Sequence, residues 1–269
     1  MKILLFIIIC IFIVCFSLCI NERFDNLVDP PKKTQNKSLI PKIIIQTFAD
    51  KKKIAQKVYN NKKFYAPDYK HIVYDDNQCL KFIKRFNAIL SEKDLGETWF
   101  SLKKGAHRAD LFRYCYLYIN GGVYLDIKTE LIEPLNITFP KKNILYTVLS
   151  KDINTIYQGV IATPPENPIF MDLIEYIVNN VFTINKKYSS CTRDFYKKIV
   201  IYSQYNKLRN GFYKNKLGDI DFYLFKEICG NKKKCTDGLD RHGLCCNIYD
   251  NSKVKIKTRY SDYTINGWN

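Results

Sequence analysis

Residues 105–134 read GAHRADLFRYCYLYINGGVYLDIKTELIEP, and this stretch decides the fold. Its first half has helical spacing: Leu111, Cys115 and Tyr118 form one stripe, with Phe112 and Ile119 beside it. Asn120, Gly121 and Gly122 supply a C-terminal stop. From there Val123, Leu125 and Ile127 alternate with Tyr124, Asp126, Lys128 and Glu130, the period of a strand. On the helix, Asp110 and Arg113 are three apart and share a face, where an exposed ion pair is worth only about 0.2–0.5 kcal/mol. On the strand, the same period sends Asp126, Lys128 and Glu130 to one side. Charges of both signs thus converge near a strand end, where a diphosphate-sugar site needs positive charge for the departing nucleotide and carboxylates for hydroxyls or metal.

Working outward, Ile40–Thr47 (IPKIIIQT) and His71–Tyr74 (HIVY) are short β-branched runs suited to buried strands. Gln158–Ala162 and Lys253–Tyr260 are further strand candidates, and Pro168–Asn180 is a helix candidate. No internal repeat is present. The alternation predicts an α/β domain with a mainly parallel sheet and helices on both faces, its ligand at the carboxyl ends of strands. At 269 residues, 46% hydrophobic and 14% aromatic, the chain has room for one sizeable domain plus an appendage and is not disordered. The net charge of +17 is spread along the chain beside abundant Asn, Ile and Tyr rather than gathered into a stripe. No nucleic-acid partner is expected; an anionic donor, an acidic glycan or a lipid surface remains compatible.

Ile3 to Ile20 carries no charge and makes about 27 Å of helix, enough to cross a hydrocarbon core. No A-x-A pattern precedes residue 20, so residues 1–20 read as an uncleaved transmembrane signal-anchor; the alternative is secretion after cleavage. Lys2 before the run sets the N-terminus inside, a type II arrangement with the rest on the lumenal side of the Golgi or ER. Residues 21–38, with Pro30 and Pro31, read as a stem, and the globular domain occupies 39–269. Two sequons, at Asn36 and Asn136, are compatible with lumenal exposure. Cys229, Cys235, Cys245 and Cys246, with His242 among them, read as disulfides or a zinc site, without regular zinc spacing.

These residues carry a resemblance. The chain from about Ile40 to Ala162, most closely over Arg108–Glu130, resembles the DXD-containing sugar transferases that include the fungal initiating mannosyltransferases, with a more distant likeness to the large glucosylating toxins. IPKIIIQTF is similar to that family's first strand, usually IPKxIHQxW, with Ile45 in place of His and Phe48 in place of Trp. The resemblance implies a GT-A-like, Rossmann-type nucleotide-sugar-binding domain in which Phe48 stacks on the donor base. Asp110 then meets the donor hexose, Arg113 the sugar-phosphate region, and Asp126 is the first Asp of the motif, with the catalytic role. Gln158-Gly159 is similar to the segment behind the donor sugar, where Gly159 would admit close approach; without the family it is an ordinary strand glycine.

Lys128 stands where the second motif Asp, commonly a ligand of Mn or Mg, is usual, and protonated Lys cannot ligate. Three readings stay open: Lys128 replaces part of the metal's charge, Glu130 supplies the lost ligand beside Asp126, or catalysis is lost. Lys253, Lys255, Lys257 and Arg259 fall on one face of the last strand, a solvated face by default; folded back, Arg259 and the Trp268 region would close over donor phosphates. The expected function is transfer of a hexose (mannose, galactose or glucose class) from a GDP- or UDP-sugar to a glycan, glycoprotein or glycolipid acceptor, with retention of configuration implied by the resemblance. The alternatives are a non-catalytic lumenal carbohydrate- or nucleotide-sugar-binding protein and a basic membrane protein for acidic partners. His71, His107 and His242 show no partner spacing for other nucleophilic chemistry.

Overall fold

The computed structural model describes residues 39–141, 143–231, 244–258 and 264. The apolar run 3–20, the stem expected at 21–38, Cys235, His242, Arg259 and Trp268 lie outside the described residues, as does the side chain of Cys245. Among the described residues, no helix is long and apolar enough to cross a membrane.

The chain opens with β1 (Ile43–Thr47), α1 (Gln56–Tyr65) and β2 (Lys70–Tyr74), followed by α2 (Asp76–Arg85) and α3 (Leu95–Ser101). The long α4 (Gly105–Asn120) leads into β3 (Gly122–Leu125), β4 (Thr129–Leu131), β5 (Ile144–Leu149) and β6 (Ile156–Thr163). Then come α5 (Pro168–Asn179), α6 (Ser190–Ser203) and β7 (Gly211–Tyr213), and the chain closes with β8 (Asp221–Asn231), β9 (Leu244–Asp250) and β10 (Lys253–Thr258). Local chemistry sets several boundaries. Asp75 and Gln78 form a reciprocal capping box on α2, and Asn167 caps α5 with Pro168 at its first turn.

The strand order is β2-β1-β3-β6-β5-β8-β9-β10-β4, with β7 on β8. The sheet is mixed rather than mainly parallel. β1 pairs in parallel with β2 and β3, and β5 with β8, but β3–β6, β5–β6, β8–β9, β9–β10 and β10–β4 are antiparallel. The α/β class holds, while the antiparallel strands β8, β9 and β10 return the chain to β4. One face shares a core of Ile44, Val123, Leu125, Val160, Phe225 and Ile256. On the other face α4 is buried along most of its length, with Phe112 and Tyr116 packed against Tyr74 at ring separations of 5.0 and 5.6 Å. A helix covered this fully needs apolar residues on more than one stripe, which its sequence supplies.

The continuous strand expected over Val123–Glu130 is broken. β3 ends at Leu125, and residues 126–129 form a turn closed by Thr129 N–H donating to the Asp126 carbonyl at 2.9 Å. Ile127 packs with Ile54, Val58 and Val73, apart from the core that takes Val123 and Leu125. The expected cationic face of β10 is also revised. A register shift between Val254 and Ile256 breaks the alternation, and Lys253 and Lys255 pair with Glu133 at 3.1 and 2.7 Å. Of the cysteine cluster, Cys229 and Cys246 form a disulfide across β8–β9, while Cys79, Cys115 and Cys191 are free and buried.

The junction between α4 and β3 depends on Gly121, whose φ is +62°. A Cβ there would lie 2.5 Å from the Pro165 nitrogen and 2.8 Å from the Pro164 carbonyl carbon, both backbone. Gly121→Ala should therefore destabilise by about 2 kcal/mol or more, read as a lower urea midpoint. Gly105→Ala, where nothing lies within 4 Å of the added carbon, should be neutral or stabilising by about 0.5 kcal/mol.

Candidate functional site

Asp126 sits at the carboxyl end of β3, between the strand and the turn. Its main chain is fixed from three directions: its N–H donates to the Gly159 carbonyl at 2.8 Å, and its own carbonyl accepts from Gln46 Nε2 at 3.0 Å and Thr129 Oγ1 at 2.7 Å. Gln46 is wholly buried on β1, and its Oε1 lies 2.7 Å from His71 Nε2. Because the Gln46 nitrogen is committed to Asp126, its oxygen accepts, so His71 carries its proton on Nε2. On the far side of the turn the buried Lys62 ammonium donates to the Thr129 carbonyl, and Asn61 bonds both backbone groups of Leu131 at 2.8 and 2.9 Å.

The Asp126 carboxylate faces cations on both oxygens. Arg113 Nη1 is 3.7 Å from Oδ1, and Lys128 Nζ is 3.4 Å from Oδ2. Tyr124 Oη also donates to Oδ1 at 3.3 Å, itself 3.1 Å from Thr47 Oγ1. Arg113 reaches back to Asp110 Oδ1 at 3.4 Å, donates to the Gln158 carbonyl, and lies over the Tyr124 ring at 4.2 Å. With its amide nitrogen toward Asp110, Gln158 donates to Oδ1 at 3.2 Å while its oxygen accepts from Thr192 N–H at 3.1 Å. The pair expected as an exposed helix ion pair is therefore buried, Asp110 at 8% and Arg113 at 5% exposure.

The titration behaviour follows this arrangement. Burial works against the Asp126 charge, yet Lys128 and Arg113 hold its carboxyl below the usual carboxylate range. Burial dominates at Asp110 and pushes it up, Arg113 offsetting only part. Burial also opposes the Arg113 charge, but the surrounding Tyr124, Asp110 and Asp126 hold its pKa above the ordinary value. Lys62 is pushed down to about 7 by burial, with Glu130 pulling the other way. His71 is lowered to about 4 by burial and then by Lys62.

Asp110, Arg113, Asp126, Lys128 and Gly159 are thus brought together. A Cβ on Gly159 would lie 2.6 Å from Asp126 Oδ2 and 2.3 Å from Tyr157 Oη, so the bare backbone at 159 is what lets the carboxylate approach β6. Phe48 follows β1, partly buried against the cluster that holds Ile127. Glu130 lies beyond the turn on β4, opposite Lys257 in register, and its charge acts on Lys62. Gln46, His71, Lys62 and Tyr124 were not singled out from sequence as site residues. A polar Gln within the apolar run IPKIIIQT was the available signal for the first.

A divalent cation of the Mn or Mg kind wants several oxygen ligands. Here the second motif position holds an ammonium, and Asp126 has a cation within 4 Å of each oxygen. Among the described residues, the one cluster of three or more potential metal-ligating side chains is Glu227, Cys229 and Cys246 on β8 and β9, whose two thiols form the disulfide. The donor set at the turn does not fit a divalent cation.

Residues 52–145 match the family described as the glycosyltransferase sugar-binding region containing DXD motif. The initiation-specific alpha-1,6-mannosyltransferase of Schizosaccharomyces pombe is 28% identical over 166 residues, 54% of this chain and 41% of that protein. Its Candida albicans counterpart is 37% identical over 70 residues, 26% of this chain and 18% of that one. The mannosyl phosphorylinositol ceramide synthase SUR1 of Saccharomyces cerevisiae is 32% identical over 124 residues, 41% and 29% of the two chains. The chain therefore aligns with less than half the length of these curated relatives. The resemblance read from the sequence is shown: the segment carrying Asp110, Arg113, Asp126 and Lys128 is similar to that family's sugar-binding region, while Phe48 and Gly159 lie outside the matched residues.

The neutral, half-buried His71 gives a pH signature. The unfolded imidazole takes a proton near its ordinary 6.5, the folded one only near 4. Between these values the unfolded state binds more protons, so stability contributed by His71 is present above 6.5 and lost as pH falls toward 4. Urea midpoints of the wild type should drop more between pH 7.5 and 5 than those of His71→Gln, which keeps a side-chain N–H donor but does not titrate. Equal drops would show that the His71–Gln46 contact is not what the acid breaks.

Proposed function

We propose that the protein is a glycosyltransferase that moves a hexose from a GDP- or UDP-sugar to a hydroxyl of a glycan, glycoprotein or glycolipid acceptor. The hexose is mannose in the first instance, since each of the relatives named above is called a mannosyl-transferring protein or a mannosyl-lipid synthase. The observation that supports this most is Asp126 at a strand's carboxyl end, its backbone locked by Gln46, Thr129 and Gly159, within the segment similar to the DXD family. Ligands of open α/β sheets bind at such strand ends.

In the step, the bond between the sugar's anomeric carbon and the diphosphate oxygen breaks, and its electron pair leaves with the nucleoside diphosphate. The acceptor oxygen bonds to the anomeric carbon, and its proton passes to the departing phosphate oxygen. Retention of configuration corresponds to departure and attack on one face of the sugar. Asp126 orients the donor at the ribose and phosphate, Asp110 meets the hexose, and Arg113 the sugar-phosphate region. Phe48 offers a ring to the base, and the bare backbone at Gly159 lets the Asp126 carboxylate stand against β6. Preorganised charge around the leaving group carries the catalysis, which requires no protein nucleophile. The uncharged run at residues 3–20 supports a single-pass, type II placement with this domain on the lumenal side of the Golgi or ER.

Lys128 motivates a second reading, a carbohydrate- or nucleotide-sugar-binding protein without turnover. Product formation and donor hydrolysis against a panel of GDP- and UDP-sugars, over a range of acceptors, separates the two. Turnover that falls by about a hundredfold or more in Asp126→Asn, with the variant still folded by circular dichroism, is the expected result. Saturable donor binding with no turnover would replace the transferase with the binding protein.

A further inference from the structure

The charges around Asp126 balance in an unusual way for a motif of this type. Asp110 and Asp126 contribute two negative charges, Arg113 and Lys128 two positive ones, and each carboxylate lies within 4 Å of a cation. With an aspartate at position 128 the same four positions would carry one positive and three negative charges. The difference between the two arrangements is two units of positive charge, the charge of one divalent ion. The substitution thus delivers in the covalent chain the charge that a metal would otherwise bring.

Geometry points the same way. Lys128 Nζ is 3.4 Å from Asp126 Oδ2 and 5.6 Å from the centre of the Tyr157 ring, an electron-rich face that favours a cation. A divalent ion would have to bind Asp126 at about 2.0–2.2 Å beside that ammonium, where like-charge repulsion is severe. The two cations also differ in exposure. The Arg113 side chain is 6% exposed and tied to Asp110, Gln158 and Asp126, whereas the Lys128 side chain is 21% exposed on a flexible stem. Its ammonium has three donors in a compact head, so one can stay on Asp126 while others turn to an arriving phosphate.

We propose that Lys128 is the resident cation of this site: its ammonium, in place of a divalent metal, meets the diphosphate of the donor and stabilises it on departure. This rests on the donor-site reading above. It predicts metal-independent nucleotide binding and turnover, with Arg113 remaining the internal counter-ion that keeps Asp126 ionised.

The test is calorimetric titration of the full-length protein with GDP and UDP, in EDTA and in Mn²⁺, with free Mn²⁺ followed by electron paramagnetic resonance. At least one nucleotide should bind in EDTA with an affinity within about threefold of that in Mn²⁺, and the protein should take up no Mn²⁺ beyond that carried by the nucleotide. Lys128→Gln should weaken binding in EDTA by about tenfold or more. Lys128→Asp should bind nucleotide only with Mn²⁺ and take up one ion; if that variant does not fold, the Lys128→Gln result and the wild-type Mn²⁺ titration decide the matter. Wild-type binding that appears only with Mn²⁺ overturns the metal-free reading and leaves the donor site standing. Absence of binding by either nucleotide under both conditions overturns both.

Discussion

The Arg113 guanidinium lies between Asp110 Oδ1 at 3.4 Å on its own helix and Asp126 Oδ1 at 3.7 Å beyond the next strand, over the Tyr124 ring at 4.2 Å. An ion buried this far costs several kcal/mol in lost hydration, and only well-placed partners return it. Those partners come from three elements: α4 supplies Asp110, the end of β3 supplies Tyr124 and Asp126, and β6 supplies the Gln158 carbonyl. Sliding any of them would leave a buried charge unpaired, so the ion network specifies one alignment of helix and sheet. The tight Gly121-Gly122 passage serves the same alignment, because it lets α4 run directly into β3 with Arg113 and Asp126 facing each other. Gly122 is as constrained as its neighbour: at φ +103°, a Cβ there would lie 2.9 Å from the Ile43 carbonyl oxygen on β1.

The turn after β3 is held from two further sides, neither of them through a charge on Asp126 itself. His71 and Gln46 relay a hydrogen bond from β2 across β1 to the Asp126 carbonyl, and Lys62 on α1 donates to the Thr129 carbonyl. Both carbonyls that flank Ile127 and Lys128 thus have buried donors, while Ile127 is anchored in the cluster beside Phe48. The position from which Lys128 projects is set before any ligand arrives. Such preorganisation makes electrostatic stabilisation inexpensive at the moment charge develops.

Much of this architecture was legible in the sequence, and the limits have physical causes. The helix over Gly105–Asn120, its glycine stop, the strand that follows and the helix from Pro168 were readable because period and punctuation agree locally. The turn at Asp126–Thr129 was not, since Ile127 continues the apolar alternation while packing into a different cluster from Val123 and Leu125. The antiparallel β3–β6 pairing was hidden behind the alternation of strands and helices, which reads equally well as a parallel sheet until register is known. Lys253 and Lys255 looked solvated because Glu133, their partner, lies some 120 residues earlier in the chain. Gln46 and His71 belong to one relay only through the parallel register of β1 and β2, which no spacing along the chain reveals.

If Lys128 is the resident cation of a donor site, the charge balance also governs how an anionic donor arrives. A net charge of +17 attracts phosphate-bearing molecules at long range whatever the site contains. In a site with two motif carboxylates and one arginine, the local charge opposes that attraction until a metal is bound, and metal must precede or accompany the diphosphate. With Lys128 present, the four charges cancel before any ligand enters, and the ammonium can turn from carboxylate to phosphate without a change in the number of ions held. Long-range attraction and local binding then act on the same molecule in the same direction. On the proposal that Lys128 is the resident cation, the order imposed by metal loading disappears, and selectivity for the donor rests on the fixed geometry of Asp126, Asp110 and the bare backbone at Gly159.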